Sequence, residues 1–290
     1  MVQSTVAVPV TTQVTETQMT AYTDLIYKTT GIRIPQQKTT LMSNRIRRRL
    51  RATGIADFDA YLKHLRQISR DDSEWDAFLQ EITTHETYLF RDEVQWKWFQ
   101  EEFLAGVTLE ARQGKRPRTL RVWSAAASTG DEAFTIASCI ATRITDLSEW
   151  KINILGTDIG ISTIEEAREA TFGERAMRLV PDNMQRRFFT KLDEQRWQAK
   201  DILRDMVEFR QHNLLDALSE QPFDVVFLKN VLIYFDKESK RPVIRNVLNL
   251  LRPNGYLVSG PAEGVSDYLS DMQRPETWLY QPPTNQPTKK

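Results

Sequence analysis

Apolar residues recur at helical spacing through the first third of the chain. Ala21, Leu25, Ile26 and Tyr27 begin one amphipathic segment, and Met42, Ile46 and Leu50 repeat at i, i+4, i+8 in a second. Phe58, Tyr61, Leu62 and Leu65 form a third, and Trp75, Phe78, Leu79 and Ile82 a fourth. Val94 to Leu109 reads as a further helix. Strand signals are absent here, so the pattern predicts a small all-helical domain over residues 18–104. Residues 1–17 are rich in Thr, Val and Gln without any period and predict a disordered tail. A polar linker is expected at 105–118.

Beyond the linker, short apolar runs alternate with helical stretches. The runs are Leu120–Trp123, Ile152–Leu155, Val207–Phe209, Val225–Leu228 and Tyr256–Val258. The helices between them include Asp131–Ile144, Ser162–Ala170 and Lys237–Leu251. Such alternation predicts an α/β fold, a parallel sheet covered on both faces, here over residues 119–281. Residues 282–290, rich in Pro, Gln and Thr, predict a second disordered tail. In sheets of this kind ligands bind beyond the C-terminal ends of the strands.

Length agrees with two domains: 290 residues exceed one ordinary small core. No apolar run approaches the ~18 residues a membrane helix needs. The N-terminus lacks the charged and apolar regions of a secretory leader. Cys139 is the single cysteine, which excludes an internal disulfide and suits a reducing compartment, so a cytoplasmic location is expected. His64, His85 and His212 are too dispersed for zinc-ligand spacing, and no metal is expected.

The formal net charge is zero, yet the charge is segregated. From Asp24 to Arg70 eleven lysines and arginines face three acids, a net +8, whereas from Asp71 to Glu102 ten acids face only Arg91 and Lys97. A neutral chain with a basic front end points to a local acidic partner rather than to bulk nucleic-acid binding. Met42, Ile46 and Leu50 make the buried stripe of their helix, which gathers Arg45, Arg48 and Arg49 on one flank. The bland alternative is a solvated charged face.

Candidate chemistry falls at strand ends. The first run leads into Ser124-Ala125-Ala126-Ala127-Ser128-Thr129-Gly130, then Asp131 and Glu132. Small residues admit close backbone approach, but this is not G-x-G-x-x-G, and the two carboxylates would repel a pyrophosphate. They suit a cationic, hydroxyl-rich nucleoside such as S-adenosylmethionine, or else merely cap a helix. Asp158 ends the second run, where ribose hydroxyls are held in nucleoside-binding sheets, although a turn aspartate is equally ordinary. Asn213 follows the third run. The fourth ends at Asn230, a polar residue amid apolar neighbours, with Tyr234 just beyond it.

Taken together these segments resemble the CheR family of chemotaxis receptor methyltransferases. The resemblance rests on TTHETYLFRD, RVWSAAASTGDEAFTIA, FDVVFLKNVLIYFD and LRPNGYLVSGPAEG, in that order along the chain, and runs from about Gln18 to Tyr280. It implies a small all-helical domain followed by a Rossmann-like S-adenosylmethionine-dependent methyltransferase domain. The implied product is a glutamate γ-methyl ester on a chemoreceptor, with S-adenosylhomocysteine as co-product. The resemblance places His85, Thr87, Arg91, Glu132, Asp158, Asn213, Leu214, Asn230 and Val231 around the cofactor. Tyr234 and Arg91 would orient the acceptor. Arg45, Arg48 and Arg49 would dock the helical, glutamate-rich methylation region of the receptor, the protein acting as a monomer without nucleic acid or membrane insertion. His85, Leu89, Lys229, Ala133 and Pro261-Ala262 depart from the family pattern. Those departures keep a second class open, a cofactor-binding sensor that has lost transfer. A nucleic-acid methyltransferase is opposed by the lack of an Asn-Pro-Pro-Tyr type loop, and a nicotinamide oxidoreductase by the missing glycine fingerprint.

Overall fold

The computed structural model describes residues 13–83 and 86–283, which divide into two compact units at Thr84/His85. The first unit holds four helices: α1 (Glu16–Thr30), α2 (Thr39–Thr53), α3 (Phe58–Gln67) and α4 (Ser73–Ile82). Each starts or ends where the sequence supplies a cap. Thr15 and Gln18 form a capping box on α1, Asp57 and Asp72 cap α3 and α4, and Gly31 and Gly54 close α1 and α2 at positive φ. The stripes of α2, α3 and α4 are buried as their periodicity requires. In α1 the buried face is Met19, Tyr22 and Ile26, one position away from the expected Ala21, Leu25 and Tyr27. The Tyr22 hydroxyl explains the rotation: it donates to the Phe58 carbonyl at 2.6 Å, so the ring enters the core with its polar tip satisfied. The expected tail at 1–17 is also shortened. Val14 is buried and its N–H donates to Ser43 Oγ at 3.0 Å; residues 1–12 lie outside the described residues.

The second unit begins earlier than residue 119. Helix α5 (Glu93–Trp98), a π-helical turn (Phe99–Phe103) and α6 (Leu104–Arg112) occupy the end of the expected helical domain and most of the expected linker. Trp96 stacks on Phe227 at 5.1 Å, and Trp98 and Phe103 meet Tyr256 edge-on. These aromatics therefore belong to the sheet's core, and periodicity alone could not say which core they would join.

The sheet elements follow: β1 (Thr119–Ala125), α7 (Asp131–Arg143), β2 (Lys151–Asp158), α8 (Ile161–Glu169), β3 (Thr171–Gly173), α9 (Glu174–Met177) and α10 (Asp182–Phe188). Then come β4 (Phe189–Lys191), β5 (Arg196–Ala199), α11 (Asp201–Arg204), β6 (Val207–Gln211), β7 (Phe223–Leu228), α12 (Lys237–Asn249), β8 (Leu251–Ser259), β9 (Gln273–Glu276) and β10 (Leu279–Gln281). The main sheet runs β6-β2-β1-β7-β8-β10-β9. Its first five strands are parallel, and β10 lies antiparallel to both β8 and β9. β3, β5 and β4 form a separate antiparallel sheet, with α9 and α10 between β3 and β4. The order reverses beside β1, so the C-terminal ends of β1, β2, β6 and β7 share one rim.

Candidate functional site at the strand ends

The turn after β1 is built under strain. Ala126 and Ser128 adopt φ of 65° and 49°, and Gly130 adopts 89° before α7 starts. The Ala127 N–H donates to the Thr157 carbonyl at 2.8 Å, stitching the turn to β2. Two glycines let Phe209 come close. A Cβ on Gly156 would stand 2.5 Å from that ring, and one on Gly130 would stand 2.9 Å from it.

Asp158 is buried and serves the same turn. One carboxylate oxygen accepts from the Ser128 N–H at 2.9 Å and the other from the Gly160 N–H at 3.2 Å. A carboxylate offers about four acceptor sites, so this anchoring role does not exhaust it. Asp131 is buried at the start of α7 and accepts from Thr129 Oγ1 at 2.7 Å, while its Oδ1 has no partner. Burial pushes its carboxyl up to about 6. Ser128 Oγ and His212 Nε2 are further buried atoms without partners near this rim. Burial holds the His212 imidazole below its ordinary value, which keeps it neutral.

Glu132 is the centre of a buried charge cluster. It accepts from Ser124 Oγ at 2.7 Å and lies 3.5 Å from Lys229 Nζ. Lys229 also meets Asp92 at 3.2 Å, donates to the Arg91 carbonyl at 3.4 Å and sits 4.8 Å from the Trp96 ring centroid. Burial raises the Glu132 carboxyl, and the Lys229 ammonium opposes that rise. The cluster joins the chain before α5 to the end of β7. Phe90 and Asp92 are both at positive φ here, with the Phe90 N–H held by Thr135 Oγ1 at 3.0 Å. Lys229 therefore has a partner set of its own, a role not visible from its place in the sequence.

The remaining candidates fall as follows. Thr87 and Arg91 are half-buried; the Arg91 guanidinium donates to the Glu86 carbonyl at 3.1 Å. Asn213 Oδ1 accepts from the Leu215 N–H at 3.1 Å, and Leu214 beside it is buried. Asn230 stands at φ 58° and Val231 follows it, while Tyr234 is half-buried in the next turn. The structure thus gathers Glu132, Asp158, Asn213, Leu214, Asn230, Val231 and Tyr234 at the ends of β1, β2, β6 and β7. His85 lies outside the described residues.

The arginines of α2 belong to the other unit, where they have structural partners. Arg49 pairs with Glu74 at 2.5 Å, and the Tyr61 hydroxyl donates to the same carboxylate. Arg48 meets Glu81 at 2.6 Å, and Arg45 donates to the Ile82 carbonyl. The acids missing along α2 come from α4 across the helix pair. The expectation of an unaccompanied basic face is corrected accordingly: Arg49 ties helices together, and Arg48 keeps a half-exposed head.

The rim fits S-adenosylmethionine. Its charged acceptors are carboxylates, which suit a sulfonium and an ammonium group, and its unpartnered buried atoms can take up hydroxyl and amino groups. A cradle of positive-φ backbone and glycines admits close approach without presenting a phosphate site. Among the described residues no group of side chains could hold a metal ion.

Comparison with known proteins agrees over both units. Residues 18–83 match the CheR methyltransferase all-alpha domain, and residues 85–277 match the CheR methyltransferase SAM binding domain. A chemotaxis protein methyltransferase of Escherichia coli is 34% identical, covering 83% of this chain and 82% of that protein. One from Salmonella typhimurium is 33% identical over 85% of this chain and 83% of its own length. One from Borreliella burgdorferi is 28% identical over 87% and 89%. The chain belongs to the CheR family of S-adenosylmethionine-binding methyltransferases.

Proposed function

We propose that the chain methylates glutamate γ-carboxylates in the cytoplasmic helical methylation region of a chemoreceptor. The observation that carries this reading is the turn after β7. One short segment delivers Asn230 and Val231 to the rim and Tyr234 to the position beside it, where an acceptor would stand. S-adenosylmethionine supplies an electrophilic methyl group on a sulfonium sulfur. A glutamate acceptor, with an ordinary pKa near ~4.3, is already ionised at neutral pH and needs no general base. The chain's own work is positioning and partial desolvation of the carboxylate. Tyr234 and Arg91 each offer a donor that would orient one oxygen and leave the other to react.

Incubation with radiolabelled S-adenosylmethionine and receptor-bearing membranes tests this. The label should leave as methanol under mild alkali. Label that survives alkali means N-methylation and ends the carboxylate reading, and cofactor binding without incorporation means a sensor. Tyr234→Phe should lower kcat about tenfold or more and leave cofactor affinity near wild type. Equal losses in both would make Tyr234 structural.

A further inference from the structure

We propose that Glu263 is the positioning residue of the methyl-transfer site, its carboxylate fixing the turn Asn230–Tyr234. The inference rests on the reading of Tyr234 given above. Glu263 is buried, 1% exposed, in the loop that leaves β8. One of its oxygens accepts from the Asn230 N–H and the other from the Ile233 N–H at 3.1 Å. The Asn230 and Ile233 N–H groups thus converge on one carboxylate from the two ends of a single turn, the arrangement by which such turns ordinarily hold an anion. Here the anion is the protein's own side chain.

The turn needs this acceptor. Asn230 sits in the left-handed region, which non-glycine residues adopt only when their surroundings over-determine it. Glu263 as a residue is itself fixed from two sides. Lys240 Nζ, on α12, donates to the Glu263 carbonyl at 2.6 Å. Gly260 leaves the space the carboxylate fills, since a Cβ there would stand 2.6 Å from Glu263 Oε1 and 3.1 Å from the Asn230 nitrogen. Glu263 meets the site residues through main-chain N–H groups. It acts through the backbone that carries them.

Glu263→Gln keeps the shape but turns an amide donor toward backbone donors. Gly260→Ala keeps the carboxylate and displaces it sterically. Both variants should lose at least tenfold in kcat with KM for the receptor little changed, and S-adenosylhomocysteine affinity should fall by a smaller factor, because Asn230 and Val231 ride on the same turn. Their amides at Asn230–Ile233 should exchange hydrogen at least tenfold faster, with no comparable change in α7 or β2. In the pair Glu263→Gln with Tyr234→Phe, the losses in kcat should not multiply, because one acts through the other. Wild-type exchange at the Asn230 and Ile233 amides in folded Glu263→Gln, or losses that multiply, overturns the proposal. If Tyr234→Phe alone keeps full turnover, the Tyr234 reading fails separately, and the exchange rates and kcat of the Glu263 and Gly260 variants still decide the role of Glu263.

Discussion

The helical unit and the strand-end rim handle polar groups in opposite ways. In the helical unit, residues 13–83, the caps and the cross-helix pairs Arg48–Glu81 and Arg49–Glu74 answer charges locally, Arg47 Nε being a buried atom there without a hydrogen-bond partner, and the two residues at positive φ are Gly31 and Gly54. At the rim Phe90, Asp92, Ala126, Ser128 and Asn230 all stand at positive φ, and Ser128 Oγ, Asp131 Oδ1 and His212 Nε2 are buried without partners. Strain of roughly 1–3 kcal/mol per residue persists only where the surroundings enforce it. The first region is arranged for its own stability, and the second keeps capacity for something else.

Breaking the rim's one satisfied charge cluster should have the largest effect. Lys229→Met leaves Glu132 and Asp92 without their cation and should destabilise the protein by about 3–5 kcal/mol in denaturant titration at pH 8. The deficit should shrink toward pH 5. Without the ammonium the already raised Glu132 carboxyl rises further, and a protonated carboxyl needs no cation. A loss under about 1 kcal/mol at pH 8 would show that water reaches the cluster.

Relieving an unanswered group should do the reverse. Asp131 is raised from 3.8 to about 6 by burial. Its contribution to stability is therefore full below about pH 4 and is lost as pH rises through about 6. Asp131→Asn should stabilise the cofactor-free protein by on the order of 1–3 kcal/mol at pH 7.5 and by almost nothing at pH 4. Equal stabilisation at both pH values would trace the effect to packing instead of charge.

The smallest effects are expected in the helical unit, and they separate its two ion pairs. Arg49→Ala should cost about 1–3 kcal/mol, since Glu74 and the Tyr61 hydroxyl lose a partly buried partner. Arg48→Ala, with a half-exposed head, should cost less than about 1 kcal/mol and should lose its effect in high salt. Charge reversal at Arg49 would oppose Glu74, so Arg48 is the residue at which to test receptor docking alone.

These outcomes also mark what could be read beforehand. Strands, helices and the rim's residue types were legible because period, capping residues and strand-end position are local properties. Met42, Ile46 and Leu50 needed nothing beyond their own spacing. Lys229, Glu263 and Glu74 were not legible in their roles, because each acts on residues 13 to 138 positions away, and nothing in a local window records that. The assignment of α5 and α6 to the sheet's core failed for the same reason. Asp158 shows the intermediate case: its place at the end of β2 was evident, but its hold on the Ser128 and Gly160 N–H groups appears only when the turn is assembled.

The rim is also the last thing the chain can make. Its parts come from the ends of β1, β2, β6 and β7, and its brace, Glu263, from beyond β8, so no fragment of the sheet contains it. Parallel pairing of distant strands is slow to form, and a nucleoside that binds only the finished rim draws the population toward complete molecules by mass action. At a ligand concentration about one hundred times Kd that pull amounts to about 2.7 kcal/mol. S-adenosylhomocysteine added during refolding should therefore raise the yield of native protein without hastening the early steps, and its binding capacity counts the molecules in which every strand has arrived.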